Sequence, residues 1–321
     1  MRILITGAAG FIGSNLATAM LQRGDDVIGL DNLRLGSTRN LEPLLGLSKF
    51  AFEVVDLADF EAYRRALNAH HAQSPITEVW HLAAGSDIPA GIADPRADLR
   101  NTFMTTFNTL VLMKELGIGT IAFASSSAIY GDRGDRELTE DTGPLFPISN
   151  YGAMKLASEA AISAAVESHL ERAFVFRFPN VVGVPATHGV IFDFVRKLRA
   201  NPENLEVLGD GTQQKSYLHV DELVDAMLYV RRHARDKLNF HNIGAGDDGV
   251  TVRFIAEQVV ARIAPNARIT FGQGHKGWVG DVPKFRYSIA KLSNLGWRPK
   301  MGSAPAIRKA VDQVAEQESR T

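Results

Sequence analysis

The first thirteen residues leave this chain little freedom in how it can fold. Arg2-Ile3-Leu4-Ile5-Thr6 is largely apolar with no alternation, Gly7-Ala8-Ala9-Gly10-Phe11-Ile12-Gly13 follows at once, and apolar residues recur at helical spacing from Leu16 to Leu21. A strand with no polar side is buried on both faces, which places it centrally in a parallel sheet. Gly7 permits a tight turn, Gly10 lets the backbone approach a pyrophosphate, and Gly13 lets helix and strand pack closely. The helix then offers its unpaired N–H groups and positive dipole end to that anion. The spacing is G-x-x-G-x-x-G, not G-x-G-x-x-G, so the turn alone also suits an ordinary strand–turn–helix.

A second signal narrows the reading. Val27-Ile28-Gly29-Leu30-Asp31 is another apolar strand, and it ends in a carboxylate 18 residues past Gly13. Such a carboxylate can accept hydrogen bonds from both adenosine ribose hydroxyls and repels a 2′-phosphate, favouring NAD over NADP. The plain alternative is a turn residue closing a strand. The loop Asn32-Leu33-Arg34-Leu35-Gly36-Ser37 is placed to wrap the adenosine end.

Further along, Phe50–Asp56, Glu78–Ala84, Thr120–Ala124 and Ala173–Phe178 read as strands, with helices over 59–70, 95–116 and 151–169. Ser149 or Asn150 is available to cap the last of these. This alternation predicts an α/β fold, a Rossmann-like doubly wound parallel sheet. Beyond Pro179 the elements shorten: a helix over 190–200, a strand over 215–220, a helix over 221–232, a strand over 240–243, a helix over 252–263, a strand over 268–271 and a helix from Ala304. The expected division is a dinucleotide-binding domain over 1–178, joined by elements near 215–245, and a smaller mixed substrate lobe over 179–321. A ligand cleft between the two is the expected geometry.

Composition excludes several classes. The formal net charge of the 321 residues is −1, so bulk electrostatics suggest neither nucleic acid nor an anionic membrane. With no cysteine, disulfides, thiolate nucleophiles and Cys-based zinc sites are ruled out. His81 has no second histidine at metal spacing and reads as a packed or hydrogen-bonded strand residue; no metal site is expected. No apolar run reaches membrane-spanning length, and the N-terminus enters the first strand directly, so a cytoplasmic protein is expected.

Chemistry concentrates in Tyr151 and Lys155, four apart on a predicted helix and therefore on one face. A free phenol titrates near 10, too high for a base at neutral pH. A neighbouring ammonium and an oxidised nicotinamide both favour the phenolate. Lowering the phenol to about 7 takes roughly 4 kcal/mol of preferential stabilisation. Ser126 lies at the carboxyl end of a neighbouring strand, where its hydroxyl can hold the oxygen on the carbon being oxidised.

Taken together, Gly7-x-x-Gly10-x-x-Gly13, Asp31-Asn32-Leu33, His81-Leu82-Ala83-Ala84, Ser125-Ser126-Ser127-Ala128-Ile129-Tyr130-Gly131 and Tyr151-Gly152-Ala153-Met154-Lys155 resemble the extended short-chain dehydrogenase/reductases. Within these the chain is most similar to sugar-nucleotide epimerases of the UDP-glucose 4-epimerase type. Arg177-Phe178-Pro179-Asn180-Val181-Val182-Gly183, the stretch from Gly209-Asp210-Gly211 to His219-Val220-Asp221, and Gly280-Asp281-Val282-Pro283 carry the likeness into the second half. The resemblance implies that Tyr151 is the base, that Lys155 binds the nicotinamide ribose and polarises the tyrosine, and that Ser126 holds the sugar O4. It implies NAD contacts from Gly7, Gly10, Phe11, Ile12, Gly13, Asp31, Asn32, Gly36, Asp56, Leu57, Leu82, Ala83, Ala84, Asn101 and Pro179. Substrate contacts are implied for Ser86, Ser126, Ser127, Asn180, Val190, Lys215, Trp278 and Phe285.

The expected reaction passes a hydride from C4 to NAD, turns the 4-keto sugar, and returns the hydride to its other face. Ala128 stands where dehydratases and decarboxylases of the family carry an acidic residue. Asn180 resembles the asparagine of hexose epimerases, whereas uronate epimerases tend to have threonine there and an arginine soon after, which Val184-Pro185-Ala186-Thr187-His188 lacks. Phe285 matches a position where bulk tends to exclude N-acetyl groups. UDP-glucose and UDP-galactose are therefore the expected pair. UDP-glucuronate 4-epimerisation, a sugar-nucleotide reductase and a non-catalytic NAD(H) sensor are the alternatives. Lys215 and Trp278 replace the family's diphosphate-binding arginines, and a lysine binds phosphate without bidentate geometry. By analogy, the helices after Ile92 and at Tyr151 pair two copies into a homodimer.

Overall fold

The computed structural model describes residues 1–86, 88–274, 282 and 285–320. Its chain divides into two compact units: Met1–Gly131 with Pro144–Arg177 and Met227–His241, and Asp132–Gly143 with Phe178–Ala226 and Asn242–Thr321.

The first unit is built on a seven-stranded sheet. Its strands are β1 (Arg2–Thr6), β2 (Asp26–Asp31), β3 (Phe50–Val54), β4 (Glu78–His81), β5 (Thr120–Ala124), β6 (Arg172–Arg177) and β7 (Leu238–Asn242). They lie in the order β7-β6-β5-β4-β1-β2-β3, and each neighbouring pair from β6 to β3 runs parallel. This is the Rossmann-like doubly wound sheet expected from the sequence. β1 lies centrally because its apolar run has two faces to cover. Leu4 packs with Ile28, Val79, Ile121 and Phe123 beneath helices α2 (Phe60–Gln73), α3 (Thr105–Leu116) and α4 (Asn150–Ser168). Ile3 and Ile5 point the other way, as do Trp80 and Phe176, whose rings stack 5.8 Å apart. Helix α1 (Phe11–Gln22) buries Leu16, Ala17 and Met20. Glu78, buried at the start of β4, is paired with Arg231 at 2.7 Å.

Several boundaries differ from the sequence reading, and in the first two cases below side chains take over backbone partners. The strand expected to run to Ala84 stops at His81, since the Thr6 hydroxyl accepts from the N–H of Leu82 (3.2 Å) and Ala83 (3.3 Å). The helix expected over 95–116 is interrupted by a π-helical turn at Leu99–Met104. There the Asn101 amide donates to the Ala97 carbonyl (2.7 Å) and the Thr105 hydroxyl to those of Asn101 and Thr102 (3.2 and 3.0 Å). In the second unit the strand expected over 215–220 is split into Gln214–Lys215, antiparallel to Val250–Thr251, and Tyr217–His219, parallel to Asn180–Val182.

The second unit packs helices Val190–Ala200, Val252–Ile263 and Ser303–Ser319 around Val195, Leu198, Ile255, Val259, Ile307 and Val311. Its further short strand pairs are Asn204–Val207 with Arg268–Phe271 and Glu137–Leu138 with Arg286–Tyr287. Among the described residues no helix is long and apolar enough to cross a membrane.

Phe174, fully buried in β6, fills the sheet face that Arg231 covers, with the guanidinium 5.2 Å from its ring. Phe174→Ala is expected to cost about 3–5 kcal/mol, read as a fall in the urea midpoint of the purified protein. A loss below about 1 kcal/mol would mean that this face repacks freely.

Candidate active site

In the first unit, most of the expected site residues lie just beyond the carboxyl ends of β1 to β5, the rim where open parallel sheets bind ligands. Gly7 to Gly13 follow β1, Asn32 and Gly36 follow β2, Asp56 and Leu57 follow β3, Leu82 to Ser86 follow β4, and Ser126 and Ser127 follow β5. Asp31 is the last residue of β2, and Asn101 sits on the π-helical turn. Tyr151 and Lys155 occupy the first turns of α4, capped by the Ser149 hydroxyl, which accepts from Gly152 N at 3.1 Å. Gly152 is what lets this helix close onto the Ser127–Tyr130 turn, because a Cβ there would stand 2.6 Å from the Ala128 carbonyl oxygen. In the second unit, Asn180 lies on a short strand, Val190 opens a helix and Lys215 pairs with Val250. Phe285 is buried edge-on to Tyr287, while Pro179 falls between β6 and the Asn180 strand. Trp278 lies outside the described residues.

The rim has the form of a dinucleotide cradle. Gly10 caps α1 in an extended conformation and brings no side chain to its first-turn N–H groups, leaving those of Phe11 and Ile12 for an anion. A Cβ on Gly13 would collide with the Gly7 carbonyl, so only glycine lets helix and turn meet here. The next loop is tied to the same turn: Ser37 N and the Asn40 side chain donate to the Ala9 carbonyl at 3.1 and 2.7 Å. The Asp31 carboxylate, buried at the seam, accepts from Ala9 N (3.0 Å) and Leu33 N (2.8 Å). Burial holds its carboxyl above the usual carboxylate range, against the downward pull of those backbone donors. Each oxygen retains lone-pair capacity for a ribose hydroxyl. These residues fit NAD.

Of the three residues expected to do chemistry, Ser126 and Tyr151 are brought together, with the Ser126 hydroxyl near enough to the phenol to favour its ionised form. Burial pushes the phenol up to about 12; the nearby Ser126 hydroxyl works downward and the buried carboxylate of Asp98 upward. Lys155 is buried one turn on, with its ammonium 5.8 Å from the Tyr151 ring centre and 4.7 Å from that of Phe123. It donates to the Ala124 carbonyl at 2.5 Å. Burial lowers its pKa to about 7, with Glu159 acting the other way. Without cofactor, then, the phenol is further from ionisation than a free tyrosine.

His81 is the hydrogen-bonded strand residue its context suggested. Thr6 accepts from two backbone N–H groups, so its own proton goes to His81 Nδ1 at 2.8 Å, and His81 Nε2–H donates to Thr106 at 3.1 Å. Burial first, and the Lys155 charge second, hold the ring neutral with a pKa of about 3. Asp98, Glu159 and Arg100 were not singled out from the sequence. Glu159 was within reach, standing four residues past Lys155 on the same helix face. Asp98 and Arg100, whose guanidinium meets Asp56 at 2.6 Å, carry no local signal.

A Rossmann-like sheet with a glycine turn and a buried carboxylate at its rim defines a dinucleotide-binding protein. The sequence profile of the NAD dependent epimerase/dehydratase family matches residues 3–246, and the chain belongs to that family. It is 29% identical to a UDP-glucose 4-epimerase of Mycolicibacterium smegmatis over 97% of this chain and 98% of that one. It is 25% identical to a UDP-glucuronate 4-epimerase of Thermodesulfobacterium geofontis over 98% and 96%. Among solved structures, the Thermus thermophilus UDP-glucose 4-epimerase in complex with NAD superposes with a TM-score of 0.84, at 31% identity, over 98% of this chain and 99% of that one.

The buried lysine has a consequence for stability. An unfolded lysine holds its proton to about pH 10.4, while folded Lys155 releases it near 7. Between these values the unfolded state binds more protons, so this group's contribution to stability rises with pH. In cofactor-stripped protein, the melting temperature of wild type relative to Lys155→Met is expected to rise from pH 7 to pH 9.5. A difference that stays flat would show a solvated ammonium.

Proposed function

We propose that this protein is an NAD-dependent C4 epimerase of a nucleotide sugar, with UDP-glucose and UDP-galactose as the pair it interconverts. The observation that carries the reading is the Tyr151 phenol beside the Ser126 hydroxyl, with Lys155 one turn along the same helix, at the rim that holds the dinucleotide cradle. In this reading Ser126 holds the sugar O4 and Tyr151 takes the proton of the 4-hydroxyl as C4 is oxidised. Lys155 supplies the positive charge that keeps the phenolate. NAD held by the glycine turn and Asp31 would supply the hydride acceptor and donor, so that the cycle leaves no net redox change. Between those events the 4-keto sugar turns its other face, and Tyr151 returns the proton to O4.

Ala128 supports an oxidation that simply reverses. It stands in the Ser127–Tyr130 turn and has no proton to give, so this position cannot drive an elimination. Gly7, Gly10, Phe11, Ile12, Gly13, Asp31, Asn32, Gly36, Asp56, Leu57, Leu82, Ala83, Ala84, Asn101 and Pro179 are proposed to contact NAD. Ser86, Ser127, Asn180, Val190, Lys215 and Phe285 are proposed to contact substrate, with Lys215 serving the diphosphate as a single point charge. Asn180, and the lack of arginine from Val184 to His188, favour a hexose over a uronate. A cytoplasmic homodimer is part of the proposal, with the exposed Leu99 and Phe107 on its pairing face.

The test is C4 inversion without added NAD on UDP-glucose, UDP-galactose, UDP-glucuronate and the N-acetyl sugars. Wild type is expected to turn over the plain hexoses fastest, and Tyr151→Phe to lose about 10²–10⁴-fold in kcat. Faster turnover of UDP-glucuronate would overturn the substrate assignment. Bound dinucleotide with no turnover on any of these sugars would favour an NAD(H)-sensing protein instead.

A further inference from the structure

Around the proposed catalytic group lies a buried ion pair that the reaction as described does not use. Arg177, at the end of β6, donates from Nε to Glu159 Oε1 at 3.0 Å and from Nη2 to Oε2 at 2.7 Å. Both side chains are only 9% exposed. The Ser125 hydroxyl donates to the same Oε1 at 2.5 Å, and Arg177 Nη1 donates to the Tyr130 hydroxyl at 3.0 Å. Arg177 also lies 5.4 Å from the ring centres of Tyr130 and Phe240. One ion pair therefore grips the segment 125–130 at both ends, and Ser126 stands between the grips. Glu159 itself sits one helical turn past Lys155.

We propose that Glu159, fixed by Arg177, is a positioning residue of the reaction: its charge, one helical turn away, favours the ammonium form of Lys155, and its hydrogen bond from Ser125 holds the segment that bears Ser126 against the helix that bears Tyr151. The proposal rests on the reading of Tyr151, Lys155 and Ser126 as the catalytic group. As a source of stability such a pair is replaceable, since buried ion pairs exchanged for neutral groups of similar volume are often neutral in effect. Its placement matters more.

The groups facing Lys155 are few. Its own helix contributes Tyr151 and Glu159, β4 contributes His81, and β5 contributes the Phe123 face and the Ala124 carbonyl. Beyond Glu159 stand Arg177 on β6 and Tyr130 on the turn after β5. His81 is neutral over the working pH range, so it supplies no charge. Glu159 is the carboxylate that raises the proton affinity of Lys155 against burial.

The experiment uses the NAD-loaded enzyme and the pH profiles of kcat and KM between pH 5.5 and 9.5. Glu159→Gln with Arg177→Gln removes both charges together and leaves no lone buried ion. It is expected to fold, to lower kcat at pH 8 about tenfold with little change in KM, and to move the alkaline limb down by about one pH unit. Ser125→Ala cuts only the tie to Glu159 Oε1, and should lower kcat while leaving that limb in place. If the double variant does not fold, Glu159→Asp keeps both charges and draws the carboxylate back by one methylene. The limb should then move the same way by a smaller step. A folded variant of either kind with the wild-type limb overturns the proposal. Tyr151→Phe in the same assay separates the two readings, because its loss of activity alongside an unmoved limb sinks only the role of Glu159, whereas its retention of activity sinks the catalytic assignment itself.

Discussion

The proposed chemistry asks Lys155 to carry charge where water is largely excluded, and the local structure can be understood from what that requires. A buried ammonium keeps its proton only where carbonyl oxygens, aromatic faces or carboxylates replace the lost hydration. Here it has the Ala124 carbonyl, the face of Phe123 and the field of Glu159. Each comes from an element fixed by other packing: the last two residues of β5 and the next turn of α4. The helix in turn is brought close by the Ser149 cap and by Gly152, which has no Cβ to press on the Ala128 carbonyl.

The parallel sheet explains why the cofactor cradle and the proposed catalytic group share one edge. Parallel strands all deliver their carboxyl ends to the same side, and the helices that follow begin there with unpaired N–H groups. β1 ends in the glycine turn, β2 in Asp31, β4 in His81, and β5 leads into Ser125 to Ser127. The neutral His81, at the end of β4, is tied to the end of β1 through Thr6 and to the start of α3 through Thr106. A histidine so placed stiffens the floor of the rim without adding charge beneath Lys155.

Features carried by local spacing were readable from the sequence alone: the glycine turn, the apolar strands, the four-residue interval between Tyr151 and Lys155, and a helix cap at Ser149 or Asn150. What escaped depends on partners distant in the chain. Glu159 finds Ser125 and Arg177 only once α4 lies across β5 and β6. The π-helical turn at Leu99–Met104 reflects side chains of Asn101 and Thr105 competing for backbone carbonyls, which no apolar periodicity records. In the second unit, two-residue strands such as Glu137–Leu138 exist only because Arg286–Tyr287 lies beside them. A pattern with a period of two needs more than two residues to show itself.

The order of the two key proton affinities places a demand on the site. A phenolate beside an ammonium requires the phenol to be the stronger acid, yet here the phenol lies at about 12 and the ammonium at about 7. Between those values the chain's own residues favour a neutral phenol beside a neutral amine. Positive charge brought into the site lowers the phenol, as the chemistry needs, but it lowers the lysine as well. To invert the order, something must oppose the second effect without opposing the first to the same degree. A carboxylate one helical turn beyond the lysine, on the side away from the phenol, acts in that sense, because Coulombic influence falls with distance. Arg177 then fixes where that carboxylate stands, and so joins the strand core to the charge state of the site.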